Sequence, residues 1–109
     1  MSLPPQNSTT PLQADYVLVG GGLQNGLIAL ALRRQRPDAS IVLIERDTKL
    51  GGNHTWCFHD SDVPEGAAGW VWPLVTHAWP GYAVHFEQFE RQLAIPYRAV
   101  TAERFDAVV

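Results

Sequence analysis

Two short apolar runs, with a glycine turn and an amphipathic segment between them, form the clearest pattern in the sequence. Four consecutive apolar residues at 16–19 end at three glycines, 20–22, and such a run is typical of a strand buried on both faces. Apolar residues then recur at helical spacing over 23–36, with two arginines near the end that complement the helix dipole, so a helix is predicted. A second buried strand is predicted at 41–44. In this order the elements form a βαβ unit with parallel strands.

The periodicity weakens after the second strand. Residues 49–62 hold glycines and scattered aromatics without a sustained period and are predicted as a loop, whereas residues 70–79 fit neither helix nor strand. Two further strands are predicted, at 82–86 and 91–95. Thr101 is a suitable N-cap, because its hydroxyl can accept a backbone hydrogen bond, and it starts a final helix.

The chain has 109 residues, which is room for one domain. Residues 1–14 are rich in Pro, Ser, Thr and Gln and are predicted to be a disordered tail, and residues 15–109 a partial domain. Two parallel strands and one helix do not complete an open α/β sheet, because both faces of such a sheet need cover. We therefore expect the amino-terminal piece of a longer protein, truncated at its C-terminus.

Composition and charge exclude several classes of protein. Eight Lys+Arg against eleven Asp+Glu give a net charge of -3, which argues against nucleic-acid binding. No stretch reaches the roughly 18 apolar residues that span a bilayer, and the N-terminus lacks a secretory signal. Cys57 is the only cysteine, so no internal disulfide can form. These features favour an intracellular protein.

The glycine turn resembles the dinucleotide-binding fingerprint G-x-G-x-x-G. Gly20 lets the strand turn sharply into the helix, and Gly22 lets the backbone approach a pyrophosphate. Asn25 stands where the third glycine is expected, and a glycine follows one place later, at Gly26. Backbone N–H groups in the first turn of the helix are predicted to bind the phosphate oxygens. A P-loop is excluded, because no Gly-Lys-Ser/Thr follows the glycines.

Glu45, at the tip of the second strand, is the predicted partner of the adenosine ribose. Its carboxylate repels a 2′-phosphate, so NADP is disfavoured at this site. NAD and FAD share this fold. The glycines at 51–52 favour FAD, although they can also belong to an ordinary turn. Residues 15–109 are therefore predicted to be a partial FAD- or NAD(P)-binding domain. The predicted cofactor contacts are Gly20, Gly21, Gly22, Leu23, Gln24, Asn25, Glu45, Arg46, Gly52, Asn53 and His54.

Several segments resemble the bacterial lycopene β-cyclases of carotenoid biosynthesis. The shifted glycine within 19–30 is similar to that family's Gly-x-Gly-Leu-x-Asn-Gly-Leu pattern, and the run Gly-Gly-Asn-His-Thr-Trp-Cys-Phe-His at 51–59 is the most specific match. Further matches lie at 72–75, 77–80 and 101–105. The resemblance covers the chain from about residue 15, with only the tail outside it.

The resemblance implies an α/β fold, with a Rossmann-like βαβ unit as the incomplete N-terminal part of a flavoprotein of the p-hydroxybenzoate hydroxylase type. It also implies redox-neutral closure of β-ionone rings at the ends of lycopene, giving γ-carotene and then β-carotene. Reduced FAD is the implied cofactor and NADPH its reductant. The implied location is cytoplasmic, with peripheral contact at the inner membrane, where the hydrophobic polyene dissolves. No catalytic residue is assigned, because the family's acidic motif lies downstream, and the 109 residues alone are expected to be inactive.

Two other constellations are weaker. One group of potential metal ligands consists of His54, Cys57, His59 and Asp60. It lacks the second Cys/His pair that zinc requires, so no metal site is predicted. The four tryptophans are expected to pack in the core, with a polyene tunnel or membrane contact as alternatives. A flavin-dependent monooxygenase or reductase, and a dinucleotide-binding module without chemistry, remain alternative functions.

Overall fold

A computed structural model describes residue 11 and residues 13–109, so most of the predicted tail lies outside the described residues. The described part is a mixed α/β structure, with short 3-10 helices at 60–62, 65–67 and 72–74. Its strands and helices are, in order, β1 Tyr16–Val19, α1 Leu23–Gln35, β2 Ile41–Ile44, β3 Thr55–His59, α2 Ala68–Val71, β4 His77–Trp79, β5 Tyr82–Phe86, β6 Phe89–Leu93, β7 Tyr97–Thr101 and α3 Ala102–Val108.

The predicted βαβ unit is confirmed. β1 and β2 pair in parallel over all four residues of each strand, and α1 connects them. The helix ends one residue earlier than predicted, at Gln35, and Arg36 takes a non-helical conformation. This is expected because Pro37 disfavours helical dihedrals at the residue before it.

The prediction that the first two strands are buried on both faces is wrong. Leu43 is buried, but Val17 and Val19 on the other face of the sheet are 54% and 75% exposed, and Ile44 is 50% exposed. In the described part of the chain this two-stranded sheet has cover on one face only. The apolar side chains of the other face therefore remain exposed.

The predicted loop at 49–62 is wrong for its central part, which is strand β3. Trp56 and Phe58 pack against the core, whereas Thr55 and Cys57 are exposed. This alternation has the period of a half-buried strand. The glycines before it and the polar 3-10 turn after it obscured the pattern.

The strand β7 was not predicted, although it is the centre of an antiparallel sheet of order β3-β7-β4. It begins directly after Pro96, and Ala99 and Val100 are buried within it. The segment at 70–79, whose sequence pattern is ambiguous between helix and strand, divides into the end of α2, a 3-10 turn and β4.

The predicted strand at 82–86 is confirmed as β5, and it forms a separate hairpin with β6. The predicted strand at 91–95 begins two residues too late and ends two residues too late, because β6 is Phe89–Leu93. A tight connection at 87–88 places Phe86 opposite Phe89 and sets this register.

The core forms where α3 and the 3-10 turn at 72–74 pack on the antiparallel sheet. Leu74, Val100 and Phe105 are at most 2% exposed and are surrounded by partly buried apolar residues of α1 and β3. The predicted N-cap is confirmed, since the Thr101 hydroxyl accepts a hydrogen bond from the Arg104 backbone N–H at 3.3 Å. Within the described residues no helix is long and apolar enough to cross a membrane.

Candidate dinucleotide-binding site

The glycine turn connects β1 to α1 with the geometry that the sequence predicted. Gly20 has a φ of +105°, a conformation that residues with a Cβ rarely adopt, and its N–H donates to the Ile44 carbonyl at 2.7 Å. Gly22 is the N-cap of α1. A Cβ added at Gly22 would meet no atom within 4 Å, so the space beside it is open. The main chain is therefore accessible to a ligand at this point.

The N-terminus of α1 is suited to an anion. No side chain caps it, and its first turn contains no acidic residue. The first N–H groups of a helix lack partners within the helix, and the helix dipole adds partial positive charge there. Leu23 and Gln24 are the residues whose N–H groups begin the helix. This arrangement matches the phosphate-binding ends of dinucleotide folds.

Glu45 lies directly against the glycine turn. A Cβ added at Gly21 would come within 3.0 Å of the Glu45 Cγ, 3.1 Å of its Oε2 and 2.7 Å of the Leu50 Cδ2. Gly21 is therefore a glycine because two side chains approach its backbone. The predicted ribose partner and the predicted phosphate turn are neighbours in space.

The Asn25 side chain holds the turn together. Its Nδ2 donates to the carbonyl oxygens of Val19 and Gly20, both at 2.9 Å. These bonds satisfy two main-chain acceptors where the strand ends. The side-chain amide is thus occupied within the turn, and contact of Asn25 with a cofactor stays a prediction.

Gly26 explains why the third glycine is one place late. A Cβ added there would overlap the Cζ and Cε2 atoms of the Phe105 ring, and even Cε1 would lie only 3.4 Å away. Phe105 comes from α3 and is fully buried. The glycine therefore permits close packing of α1 on α3, in place of the helix–strand contact that the usual third glycine allows.

The loop after Glu45 returns to the glycine turn. The Gly51 N–H donates to the Gly21 carbonyl at 2.8 Å, and Gly51 and Gly52 have φ values of +84° and +59°. Helix α3 fastens the same loop, because the Leu50 N–H donates to Asp106 Oδ1 at 2.7 Å. The predicted loop and the predicted turn therefore form one unit.

The remaining predicted contacts lie around this unit. Gly52, Asn53 and His54 follow the loop and are exposed, as is Arg46 next to Glu45. The His54 carbonyl accepts from the Ala102 N–H at 3.0 Å, which ties the end of the loop to α3. Their contact with a cofactor stays a prediction.

Asp60 is held in an ion pair with Arg98. It accepts hydrogen bonds from Arg98 Nε and Nη2 at 2.6 and 3.1 Å, and these bonds lower the pKa of the Asp60 carboxyl. The Arg98 guanidinium also lies over the Trp72 ring. Asp62 and Glu65 are exposed. Among the described residues no three His, Cys, Asp or Glu side chains come together as a metal site.

Comparison with known sequences identifies the family. A sequence model of the family described as lycopene cyclase protein matches residues 15–109. The chain belongs to the lycopene cyclase family. The resemblance carried by the glycine turn and by residues 51–59 is thereby confirmed.

Three relatives named lycopene beta-cyclase match most of the chain. The protein of Pseudescherichia vulneris is 53% identical over 91 residues, 84% of this chain and 24% of the relative. That of Pantoea ananas is 48% identical over 95 residues, 87% of this chain and 25% of the relative. That of Paracoccus sp. (strain N81106 / MBIC 01143) is 41% identical over 96 residues, 87% of this chain and 25% of the relative. The chain spans about a quarter of the length of these lycopene cyclases.

Sequence reasoning missed the part of the site that α3 provides. Phe105 and Asp106 hold the glycine turn and its loop, yet both are distant from them in sequence. The first signal was the helix start at Thr101, which marked the element but not its partner. The late glycine at Gly26 was the second signal, because a misplaced glycine in a helix calls for a close neighbour.

Proposed function

We propose that this chain is the FAD-binding beginning of a lycopene β-cyclase, which closes β-ionone rings at the ends of lycopene without net oxidation. Reduced FAD is its cofactor and NADPH the reductant of that FAD. Membership of the lycopene cyclase family and the names of the three relatives support the substrate and the reaction class. The geometry of the glycine turn supports the cofactor.

One observation carries the cofactor assignment: the open main chain at Gly22, at an uncapped helix N-terminus, with Glu45 against the same turn. The N–H groups of Leu23 and Gln24 bind the diphosphate. The Glu45 carboxylate accepts hydrogen bonds from the adenosine ribose hydroxyls. Since the same carboxylate repels a 2′-phosphate, NADPH acts from another site.

The reaction begins with protonation of a terminal double bond of lycopene, which leaves a carbocation that the chain of the polyene attacks to close the ring. Loss of a ring proton completes it. Reduced flavin, when bound, would supply negative charge near that cation, and such charge would lower the barrier because the neutral substrate carries no positive charge in its ground state. The residues of this chain hold the cofactor in place, and no catalytic acid is assigned among them.

Peripheral membrane contact is part of the proposal, because lycopene dissolves in the bilayer. Phe86 and Phe89 stand side by side next to the turn of the β5–β6 hairpin and are 68% and 55% exposed. Exposed aromatic side chains can enter the membrane interface. Co-sedimentation with phospholipid vesicles tests this contact, and replacement of both phenylalanines by serine should abolish it. Unchanged binding of that variant would refute it.

The test of the function uses the cyclase chimera, which is the Pseudescherichia vulneris relative with its matching segment replaced by this chain. The chimera should bind FAD and convert lycopene to γ-carotene and β-carotene under reducing conditions. NADPH consumption should not be stoichiometric with ring formation. Coupled consumption of NADPH would instead indicate a monooxygenase or reductase, and FAD binding without turnover a module without chemistry.

A further inference from the structure

An apolar cavity of about 500 Å³ opens between α1, β3 and α2. Packed interiors contain few voids larger than a water molecule, whereas ligand pockets measure roughly 300–1,000 Å³. Aliphatic and aromatic side chains form most of its wall, among them those of Leu23, Leu27, Trp56, Phe58, Ala67 and Trp70. In the described part of the chain Asp62 is the only charged residue on this wall.

The cavity adjoins the candidate dinucleotide site. Leu23 lines the cavity and is also the first residue of α1, directly after Gly22. Trp56, on the opposite wall, contacts the buried Phe105 ring edge-to-face at 5.1 Å between ring centroids. Phe105 in turn packs against Gly26. A ligand in the cavity therefore lies beside the helix turn that is proposed to bind the diphosphate.

We propose that this cavity binds the apolar end group of a hydrocarbon substrate, an inference that rests on the proposed function. Phosphates and sugars are poor occupants, because burial of a polar group without hydrogen bonds costs about 2–7 kcal/mol. Burial of an apolar end group carries no such cost. The Trp56 and Trp70 side chains on the wall offer broad apolar contact to a conjugated chain. A hydrocarbon end held here lies beside the first turn of α1, where the cofactor is proposed to bind.

Filling the cavity tests the assignment. Ala67→Phe places a ring in the cavity, and Ala83→Phe places one on the exposed surface of β5 as the matched control. In the cyclase chimera, Ala67→Phe should lower lycopene conversion about tenfold or more at low substrate, the factor that equals ~1.4 kcal/mol of binding free energy. FAD affinity should stay within about twofold of the parent in both variants. Equal conversion by both variants would overturn the proposal.

Tryptophan fluorescence locates the ligand in the 109-residue chain itself. Lycopene in detergent micelles should quench the emission of the chain beyond the effect of empty micelles. Trp70→Phe should remove much of that quenching, whereas Trp79→Phe should not, because Trp79 is 44% exposed on β4 and does not line the cavity. Circular dichroism checks that both variants are folded.

Other occupants of the cavity would give different results in these experiments. If a second copy of the chain fills the cavity, sedimentation will show a dimer that Ala67→Phe dissociates, and lycopene will leave Trp70 unquenched. If another segment of the longer protein fills it, Ala67→Phe will lower the yield of folded chimera. Either result overturns the proposal. Failure of FAD to bind to the parent chimera would instead refute the proposed function.

Discussion

Gly26→Ala is the perturbation that tests the packing of the site most sharply. The added methyl group would overlap two atoms of the Phe105 ring, well inside the ~3.5–4.0 Å of ordinary carbon–carbon contact. The ring is fully buried, so it cannot move into solvent to relieve the overlap. Gly66→Ala is the matched control, because a Cβ at Gly66 would meet nothing within 4 Å.

Two opposed effects determine how much Gly26→Ala changes the free energy of unfolding. Overpacking of a core costs about 1–3 kcal/mol, and the overlap at Gly26 places it at the upper end of that range. Alanine in a helix is about 0.8–1 kcal/mol more favourable than glycine. We therefore expect Gly26→Ala to lower the free energy of unfolding by about 2 kcal/mol, and Gly66→Ala to change it by no more than about 0.5 kcal/mol.

The assay is urea unfolding of the 109-residue chain, followed by circular dichroism. Phe105→Leu removes the ring atoms that the new methyl group meets, so it should partly rescue Gly26→Ala. The double variant should be more stable than the sum of the single changes predicts, by about 1 kcal/mol or more. Strict additivity, or a Gly26→Ala chain as stable as the parent, would show that the Phe105 ring does not restrict this position.

Three further predictions concern single carboxylate side chains. Asp106→Ala removes the acceptor of the Leu50 N–H and should lower the free energy of unfolding by about 1–3 kcal/mol in urea, whereas Asp106→Asn keeps an oxygen there and should cost less. Glu45→Gln removes the charge from the acceptor of the adenosine ribose hydroxyls, so FAD affinity of the cyclase chimera should fall several-fold in binding titrations; an unchanged affinity would contradict this role. Arg98 lowers the pKa of the Asp60 carboxyl. The ion pair therefore stabilises the fold at a pH above the usual carboxyl pKa of about 3.9, and this stabilisation is lost as the pH falls through the lowered pKa. Asp60→Asn should therefore be less stable than the parent at neutral pH and lose that difference at low pH, as urea midpoints across the acid range will show.

The βαβ unit was predictable because each of its signals is local. The apolar strand at 16–19, the positive φ required at Gly20 and the proline after α1 each act on their immediate neighbours. Glu45 was predictable as well, since the end of β2 must lie beside the end of β1 when the strands are parallel.

The antiparallel sheet was harder to predict because its pairs are distant in sequence. β3 and β7 stabilise each other across some forty intervening residues, and neither has a strong pattern alone. The contacts of α3 with the turn are of the same kind. Phe105 matters to the candidate site because of what it touches, Gly26 and Gly51, and a helical pattern does not reveal that partner.

The main chain at Gly22 is proposed to approach the diphosphate of a dinucleotide. The direct measurement is a titration of the cyclase chimera with FAD, for the parent, Gly22→Ala and Gly66→Ala. Both substitutions add a methyl group to open space, so neither should alter the fold. Gly22→Ala should weaken FAD binding about tenfold or more, or ~1.4 kcal/mol, while Gly66→Ala stays within about twofold of the parent. Equal affinities in all three proteins would contradict the claim.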